Sequence, residues 1–460
     1  MLPKTWPLIL LLVPLTLRAQ EASAFKQILQ RLDQLERENR NLADEVHALR
    51  AELAGARTPA ANPGLEEATT AVVDTPVNAS PVPIEERVAV QEQRTEELSQ
   101  SKVEAAQRMP VTLAGMVLFN AFLNGRANAG AQDPLTASAS NNVSGGGASL
   151  SQSIIGLRFQ GPRVLGGQVR GSLDLDLFGG TASSLNRLVR MRIATLEMDW
   201  SQSTLIVGQD KPLIAPRDPD SLAQVAFSPL TAAGNLWLWQ PQVRFEQRFA
   251  IGENAGLRAQ ASVYQTAEPS ASAGPEYQAT LSSASPALEG RFEFWSKVGS
   301  GGRIEIAPGF HVSDTHVAGT SVPSRLITLD WLLQPMAKVR LSGAFFHGRN
   351  AAGVGGLRQG FTLIGNGPFI AVPTSGGWAQ LSFLATKRLT FNMYGGQESN
   401  PAVALLPGQI ARNIVYAGNT QYRLGPNVLL GLEASQARTT YVGGLIRLVN
   451  HYDLALAYLF

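Results

Sequence analysis

The 460-residue chain contains no cysteine, which excludes a disulfide framework and thiolate metal sites. Histidine is scarce, with five residues: His47, His311, His316, His347 and His451. None of them stands in an HExxH motif. GxSxG, P-loop and complete GxGxxG sequences are missing too, so the usual marks of a zinc protease, a serine hydrolase or a nucleotide enzyme are not present. Asp218-Pro219-Asp220 offers two carboxylates to calcium, but without the ligand loop such a site needs. The expectation is a protein without cofactor, metal or catalytic set. Charged residues are 16% of the chain and the net charge is +2, which gives no basis for nucleic-acid binding. No apolar run approaches the roughly 18 residues of a transmembrane helix.

What is present divides into regions. Residues 1–108 hold 12 Lys and Arg against 16 Asp and Glu. Taken from totals of 38 and 36, that leaves 26 basic and 20 acidic residues in 109–460, most of the basic ones arginine. Residues 1–19 have the form of a secretory signal: Lys4, then the short apolar stretch WPLILLLVPLTL broken by Pro7 and Pro14, then Ala19. Cleavage after Ala19 is expected. Ala22-Ser23-Ala24 fits the small-x-small rule better but would cut into the next element, and an uncleaved anchor is the other reading.

Residues 20–54 keep a heptad. Phe25, Leu32, Asn39, Val46 and Leu53 fall on a, and Ile28, Leu35, Leu42 and Leu49 on d. An apolar stripe every 3.5 residues predicts a left-handed coiled coil, with Asn39 fixing its register and Arg31, Glu36, Glu38, Glu45 and Arg50 flanking the seam. The chain is therefore expected to self-associate, as dimer or trimer; a lone amphipathic helix is the bland alternative. Residues 55–108 are rich in Pro, Ala, Thr and Glu, the composition of an extended spacer, with a short helix within 84–108.

From Met109 the period becomes two. In GQVRGSLDLDLF (167–178), Gln168, Arg170, Ser172, Asp174 and Asp176 share one parity and Val169, Leu173, Leu175 and Leu177 the other. In RLVRMRI, Val189, Met191 and Ile193 oppose Arg190 and Arg192; in QVRFEQRFAI, Val243, Phe245 and Phe249 oppose Arg244, Glu246 and Arg248. Such alternation marks strands with one apolar and one polar face. About sixteen are read between 111 and 460. Short turns such as 161–166, 252–254, 300–301, Gln334-Pro335 and Gly425-Pro426 alternate with long Gly/Ser/Pro-rich connections at 124–149, 267–287, 348–375 and 397–412, and 211–241 is long too. The chain closes on HYDLALAYLF, where Tyr452, Leu454, Leu456, Tyr458 and Phe460 form one greasy row.

A soluble sandwich or propeller would turn the apolar faces inward; a membrane barrel turns them to lipid and lines its lumen with the polar ones. Strand number and length, loop alternation and aromatics near strand ends (Phe119, Phe159, Phe178, Trp200, Trp331, Phe345, Tyr452) favour the second. The fold class is thus an all-β transmembrane antiparallel up-and-down barrel of about 16 strands over 109–460, preceded by an α-helical coiled coil. Sixteen strands leave an aqueous channel. Residues 111–123 are apolar on both parities, a departure that fits a subunit-contact wall.

With its leader, its coiled coil and linker, its loop alternation and its terminal Phe460, the chain resembles Gram-negative general porins and is similar to the DcaP-type trimeric porins, more loosely to phosphate-selective porins. The resemblance implies an outer-membrane homotrimer in contact with lipid, a periplasmic coiled coil, and Tyr458 and Phe460 as the signal read by the barrel-assembly machinery. It also implies that the loop after the fifth strand, 208–242, with Lys211, Arg217, Asp218 and Asp220, folds inward and narrows the lumen; an ordinary external loop is the alternative. Lumen-parity Arg158, Arg170, Arg190, Arg192, Arg244, Arg248 and Arg258 would face it. Permanently charged, forked guanidinium groups in a narrow passage predict passive diffusion of small hydrophilic solutes with a modest preference for anions. The competing reading pairs them with Asp174, Asp176 and Glu246 as structural bridges. A barrel that only tethers the membrane to peptidoglycan, with little flux, is the rival function.

Overall fold

In the computed structural model, the residues described are 111–140, 143–179, 188–265, 286–299, 301–317, 320–357, 359–363 and 369–460. The signal, coiled-coil and spacer expectations lie outside them. Nineteen strands follow in order: β1 Val111–Asn124, β2 Gly145–Ser149, β3 Ile154–Val164, β4 Gly167–Gly179, β5 Leu188–Asp199, β6 Ser203–Asp210, β7 Gln240–Ile251, β8 Ala255–Tyr264, β9 Ala287–Val298, β10 Gly302–Val317, β11 Thr320–Met336, β12 Val339–Arg349, β13 Phe361–Leu363, β14 Phe369–Ala371, β15 Pro373–Leu384, β16 Leu389–Ser399, β17 Ile410–Arg423, β18 Val428–Tyr441 and β19 Ile446–Leu459.

Seventeen of these form one antiparallel sheet, and β13 and β14 form a separate hairpin. Strands β2 and β3 pair with the two halves of β1 and share one position in the wall, so the sheet is a sixteen-position barrel. It closes where β1 meets β19, from Met116 opposite Leu459 to Asn124 opposite His451. Beyond that register Gly115 N–H donates to the Phe460 carbonyl at 2.9 Å, and the Phe460 ring lies over Gly115, where a Cβ would stand 2.8 Å from its Cζ. Closure leaves no open edge, which hydrocarbon would penalise.

The wall is inverted relative to a soluble protein. On β19, Tyr452, Leu454, Leu456 and Tyr458 are exposed, Tyr452 at 53%, while His451, Asp453, Ala455 and Ala457 are buried, Asp453 at 4%. The same split runs around the barrel. Val243, Phe245, Phe249, Leu257, Phe292, Phe294, Leu381 and Phe391 are exposed, and Glu246, Gln260, Glu289, Arg291, Asp330, Gln380 and Asn392 are buried. Apolar packing inside is confined to patches where the loops rest on the wall, such as Ile214, Leu236, Tyr264, Leu326, Phe346 and Val354.

Several sequence expectations shift by a residue or a face. The β3–β4 turn is the pair Leu165-Gly166, both at positive φ, as a two-residue hairpin with the twist of its strands requires; β3 therefore reaches Val164. The β11–β12 turn lies past Met336, not at Gln334-Pro335, and β10 and β11 run on to Val317 and Thr320. A register shift pairs Asp174 with Ile193 but Leu175 with Met191. This bulge moves Ile193 to the lumen parity and aims both Arg190 and Arg192 at one carboxylate. Phe178 shares the lumen parity of Asp174 and Asp176 on β4 and is not part of the outer girdle: its ring meets Phe227 of the inward loop edge-on at 5.1 Å.

Candidate pore constriction

The connection between β6 and β7 folds into the barrel rather than over its rim, because its backbone finds hydrogen-bond partners on the lumen wall all the way round. Leu213 N–H donates to Glu289 of β9 at 2.7 Å. Arg217 reaches Asp330 of β11 at 3.0 Å and Glu305 of β10. Asp220 N–H donates to Gln380 of β15 at 2.6 Å, and its carboxylate pairs with Arg340 of β12. Ser221 donates to Glu433 of β18 at 2.6 Å. Asn419 of β17 and Asn120 of β1 donate to the carbonyls of Asp220 and Leu222. Gln152, fully buried beside β3, accepts from the N–H groups of Val225 and Ala226 and donates to the Ala223 carbonyl. Arg190 of β5 donates to the Ala226 carbonyl at 2.5 Å. The bonds to the N–H groups of Leu213, Asp220, Val225 and Ala226 and to the carbonyls of Asp220, Leu222, Ala223 and Ala226 satisfy backbone groups that an irregular segment inside a barrel would otherwise leave unpaired, and the side-chain pairs add further anchors.

Each of the arginines expected on the lumen face has an acidic neighbour. Arg158 pairs with Asp174 at 2.6 Å, Arg190 with Asp176 at 2.6 Å and Arg192 with Asp176 at 3.7 Å. Arg244 lies 3.4 Å from Asp210, Arg248 2.7 Å from Asp199, and Arg258 2.7 Å from Glu293 and 3.7 Å from Glu246. Arg170 is the loosest, 3.7 Å from both Glu197 and Asp199 and 52% exposed on its side chain. Lys211 pairs with Asp218. The ladder is thus a series of compensated pairs. Arg158 and Arg170, with Gln160, Ser172, Thr195 and Glu197, line a cavity of about 350 Å³ at the short-turn end.

Arg190 and Arg192 carry a second set of contacts. The Arg190 guanidinium stands over the rings of Phe227 at 5.1 Å, Trp239 at 5.2 Å and Phe178 at 5.5 Å, and Arg192 over Trp239 at 4.7 Å. Trp237 joins Phe227 to Trp239 edge-on. Cation–π contact is worth about 0.5–2 kcal/mol per pair, so the aromatic return limb of the loop is held on the wall by the same two arginines that face Asp176. Burial, then the Arg192 charge, lowers Lys211 to about 8, with Asp210 opposing.

On the opposite wall the buried carboxylates have neutral partners. Glu433 accepts from Ser221, Tyr394 and Asn419, Glu398 from Leu357 N–H and Thr374, and Asp453 from Asn120. Among the described residues these three have no cation within ion-pairing distance. The candidate calcium pair separates: Asp218 turns to Lys211 and Asn235, Asp220 to Arg340 and Gln380. No cluster of three or more metal-ligating side chains occurs among the described residues.

One constellation escaped sequence reading because pairing across strands creates it. His311 Nε2 lies 3.1 Å from Ser313 Oγ and His311 Nδ1 3.3 Å from Glu289 Oε1, with Tyr264 on the same nitrogen. The order is that of a Ser–His–acid relay. However, Ser313 is only 3% exposed, and Glu289 is committed through its other oxygen to the loop. The cluster holds the loop's first turn and offers a substrate no approach.

No protein-family model matches the sequence and no curated protein is significantly similar to it. Among solved structures the fold is similar to the outer membrane channel DcaP of Acinetobacter baumannii, with 16% identity, 76% of this chain and 97% of that one covered, and a TM-score of 0.62. It is also similar to an anion-selective porin from Comamonas acidovorans, with 13% identity, 77% and 100% covered, and a TM-score of 0.53. The resemblance to DcaP-type and other outer-membrane porins read from the sequence holds at the level of the fold.

Proposed function

We propose that the chain is an outer-membrane porin, a water-filled channel for passive diffusion of small hydrophilic solutes. The inverted wall carries this reading: exposed apolar rows outside, buried polar side chains inside, and a loop bonded across the lumen. A barrel needs no catalytic group for that task. The proposal extends to parts outside the described residues, a signal peptide and a homotrimer joined by the 20–54 coiled coil in the periplasm, and to delivery through the barrel-assembly machinery by the terminal Tyr458 and Phe460.

Ion preference is modest in this reading, because each lumen base has an acid beside it. What anion preference there is comes from donors that one carboxylate cannot occupy, chiefly on Arg170 and Arg158, where five N–H groups per guanidinium outnumber the acceptors in reach. Liposome swelling with neutral sugars and planar-bilayer reversal potentials in a salt gradient test both statements. Sugar flux with a slight anion preference is the expected result. No flux at all would favour the rival role, a barrel that only tethers the membrane to peptidoglycan.

A further inference from the structure

We infer that the outer wall formed by β11, β12 and β15–β18 carries a binding site for a phosphate-bearing anionic lipid, its acyl chain in a surface trough and its phosphate between Arg412 and Arg438. This rests on the membrane reading above.

The trough follows from one row of the sheet. Cross-strand register aligns Trp331, Gly343, Ala379, Gly395, Tyr416 and Gln436 on the outward face. The Trp331 ring lies over Gly343, and the small residues Ala379 and Gly395 between it and Tyr416 leave an open hollow of about 600 Å³. A separate hollow of about 740 Å³ lies by Met393, Gly418 and Tyr452. Gly395 is open: a Cβ there meets nothing nearer than 3.4 Å.

Charge supplies the second observation. Arg412 and Arg438 lie near the long-loop ends of β17 and β18 and are exposed. Arg438 sits opposite Ile414, two residues along from Arg412 on the same face, and such diagonal neighbours stand about 7–8 Å apart. Every lumen arginine in the constriction has a carboxylate partner; among the described residues neither of these two has one. Arg412 instead donates to Gln397 at 2.5 and 3.0 Å, and Gln397 lines the trough. Two adjacent uncompensated cations on an apolar wall repel each other unless an anion sits between them, and a phosphate offers acceptors to both forks. Beside them Tyr416 donates to Gln436, and Gln436 to Asn450 at 2.6 Å, which extends the polar rim on which a headgroup would rest.

The test uses the detergent-purified full chain in phosphatidylcholine nanodiscs doped with phosphatidic acid or bis-phosphorylated lipid A, and native mass spectrometry of what remains bound. Wild type should retain the anionic lipid. R412Q/R438Q and the trough-filling G395L should each lower retention at least tenfold, with heat-modifiable mobility and sugar flux unchanged. Inorganic phosphate should not compete. Equal retention by R412Q/R438Q, or equal retention of phosphatidylcholine, would overturn the site. So would efficient disulfide linkage of two G395C chains in the membrane, since a second copy would then cover the trough. Loss of flux in wild type would instead count against the channel reading.

Discussion

Arg217 Nε donates to Asp330 Oδ1 at 3.0 Å, and this bond ties the middle of the inward loop to a strand 113 residues away. The same guanidinium meets Glu305 and lies 3.9 Å from Glu293. Replacing Arg217 by Ala removes one cation from three carboxylates and leaves Asp330 to Arg291, Glu293 to Arg258 and Arg291, and Glu305 to Arg303. Breaking a buried pair costs about 3–5 kcal/mol. R217A should therefore lower the unfolding temperature, raise single-channel conductance and move the reversal potential towards cations. An unchanged potential would show that the loop is held elsewhere.

Gln152 is the second latch. Q152A leaves the N–H groups of Val225 and Ala226 unpaired, a desolvation cost of about 1–3 kcal/mol each. The variant should show noisier single-channel currents with mean selectivity preserved, read in planar bilayers.

Arg190 and Arg192 share Asp176 and the Phe227–Trp239 rings. In R190A/R192A, Asp176 loses both of its cationic partners and the aromatic limb loses its cations. Selectivity should shift towards cations by a few fold and tryptophan emission should move to the red. Emission identical to wild type would separate the rings from these arginines.

Lys211 gives a pH dependence with a defined sign. Its value in the folded loop, about 8, is below that of a free lysine, so its charge costs the folded state stability below pH 8. That cost fades as pH rises towards the unfolded value, where the slope is set by the greater proton binding of the unfolded chain. Between pH 7 and 9 the channel loses one positive charge beside Asp210 and Asp218, and its anion-to-cation permeability ratio should fall. In K211Q the ratio should stay flat over that window.

The Ser313–His311–Glu289 relay should remain silent. A fluorophosphonate probe is expected to leave Ser313 unlabelled in the intact barrel, and labelling at that position would reopen the question of hydrolase activity.

The strands were legible because a two-residue period survives in any register, and the direction of the faces followed from the greasy row at 452–460. The site was legible only in part. Which residues line the lumen depends on parity, so Arg158, Arg170 and Arg244 could be placed. Which acid each arginine meets depends on register and bulges, and one bulge at Ile193 decides that Arg190 and Arg192 converge on Asp176. Phe178 was misassigned although it shares the parity of Asp174 and Asp176; its aromatic ring at a strand end suggested the girdle, while alternation already put it on the lumen face. Gln152 and the His311 cluster carry no usable local signature; Ser313 apart, their partners lie 22 to 74 residues away.

The rows of exposed leucine, valine and phenylalanine that ring this barrel also constrain its biogenesis. Water offers the chain no compact resting state, since collapse driven by oily groups would turn the wall inside out and strand the ionic lining. Folding must therefore coincide with arrival in hydrocarbon, and until then the polypeptide requires an escort that masks its stickiness without fixing its shape.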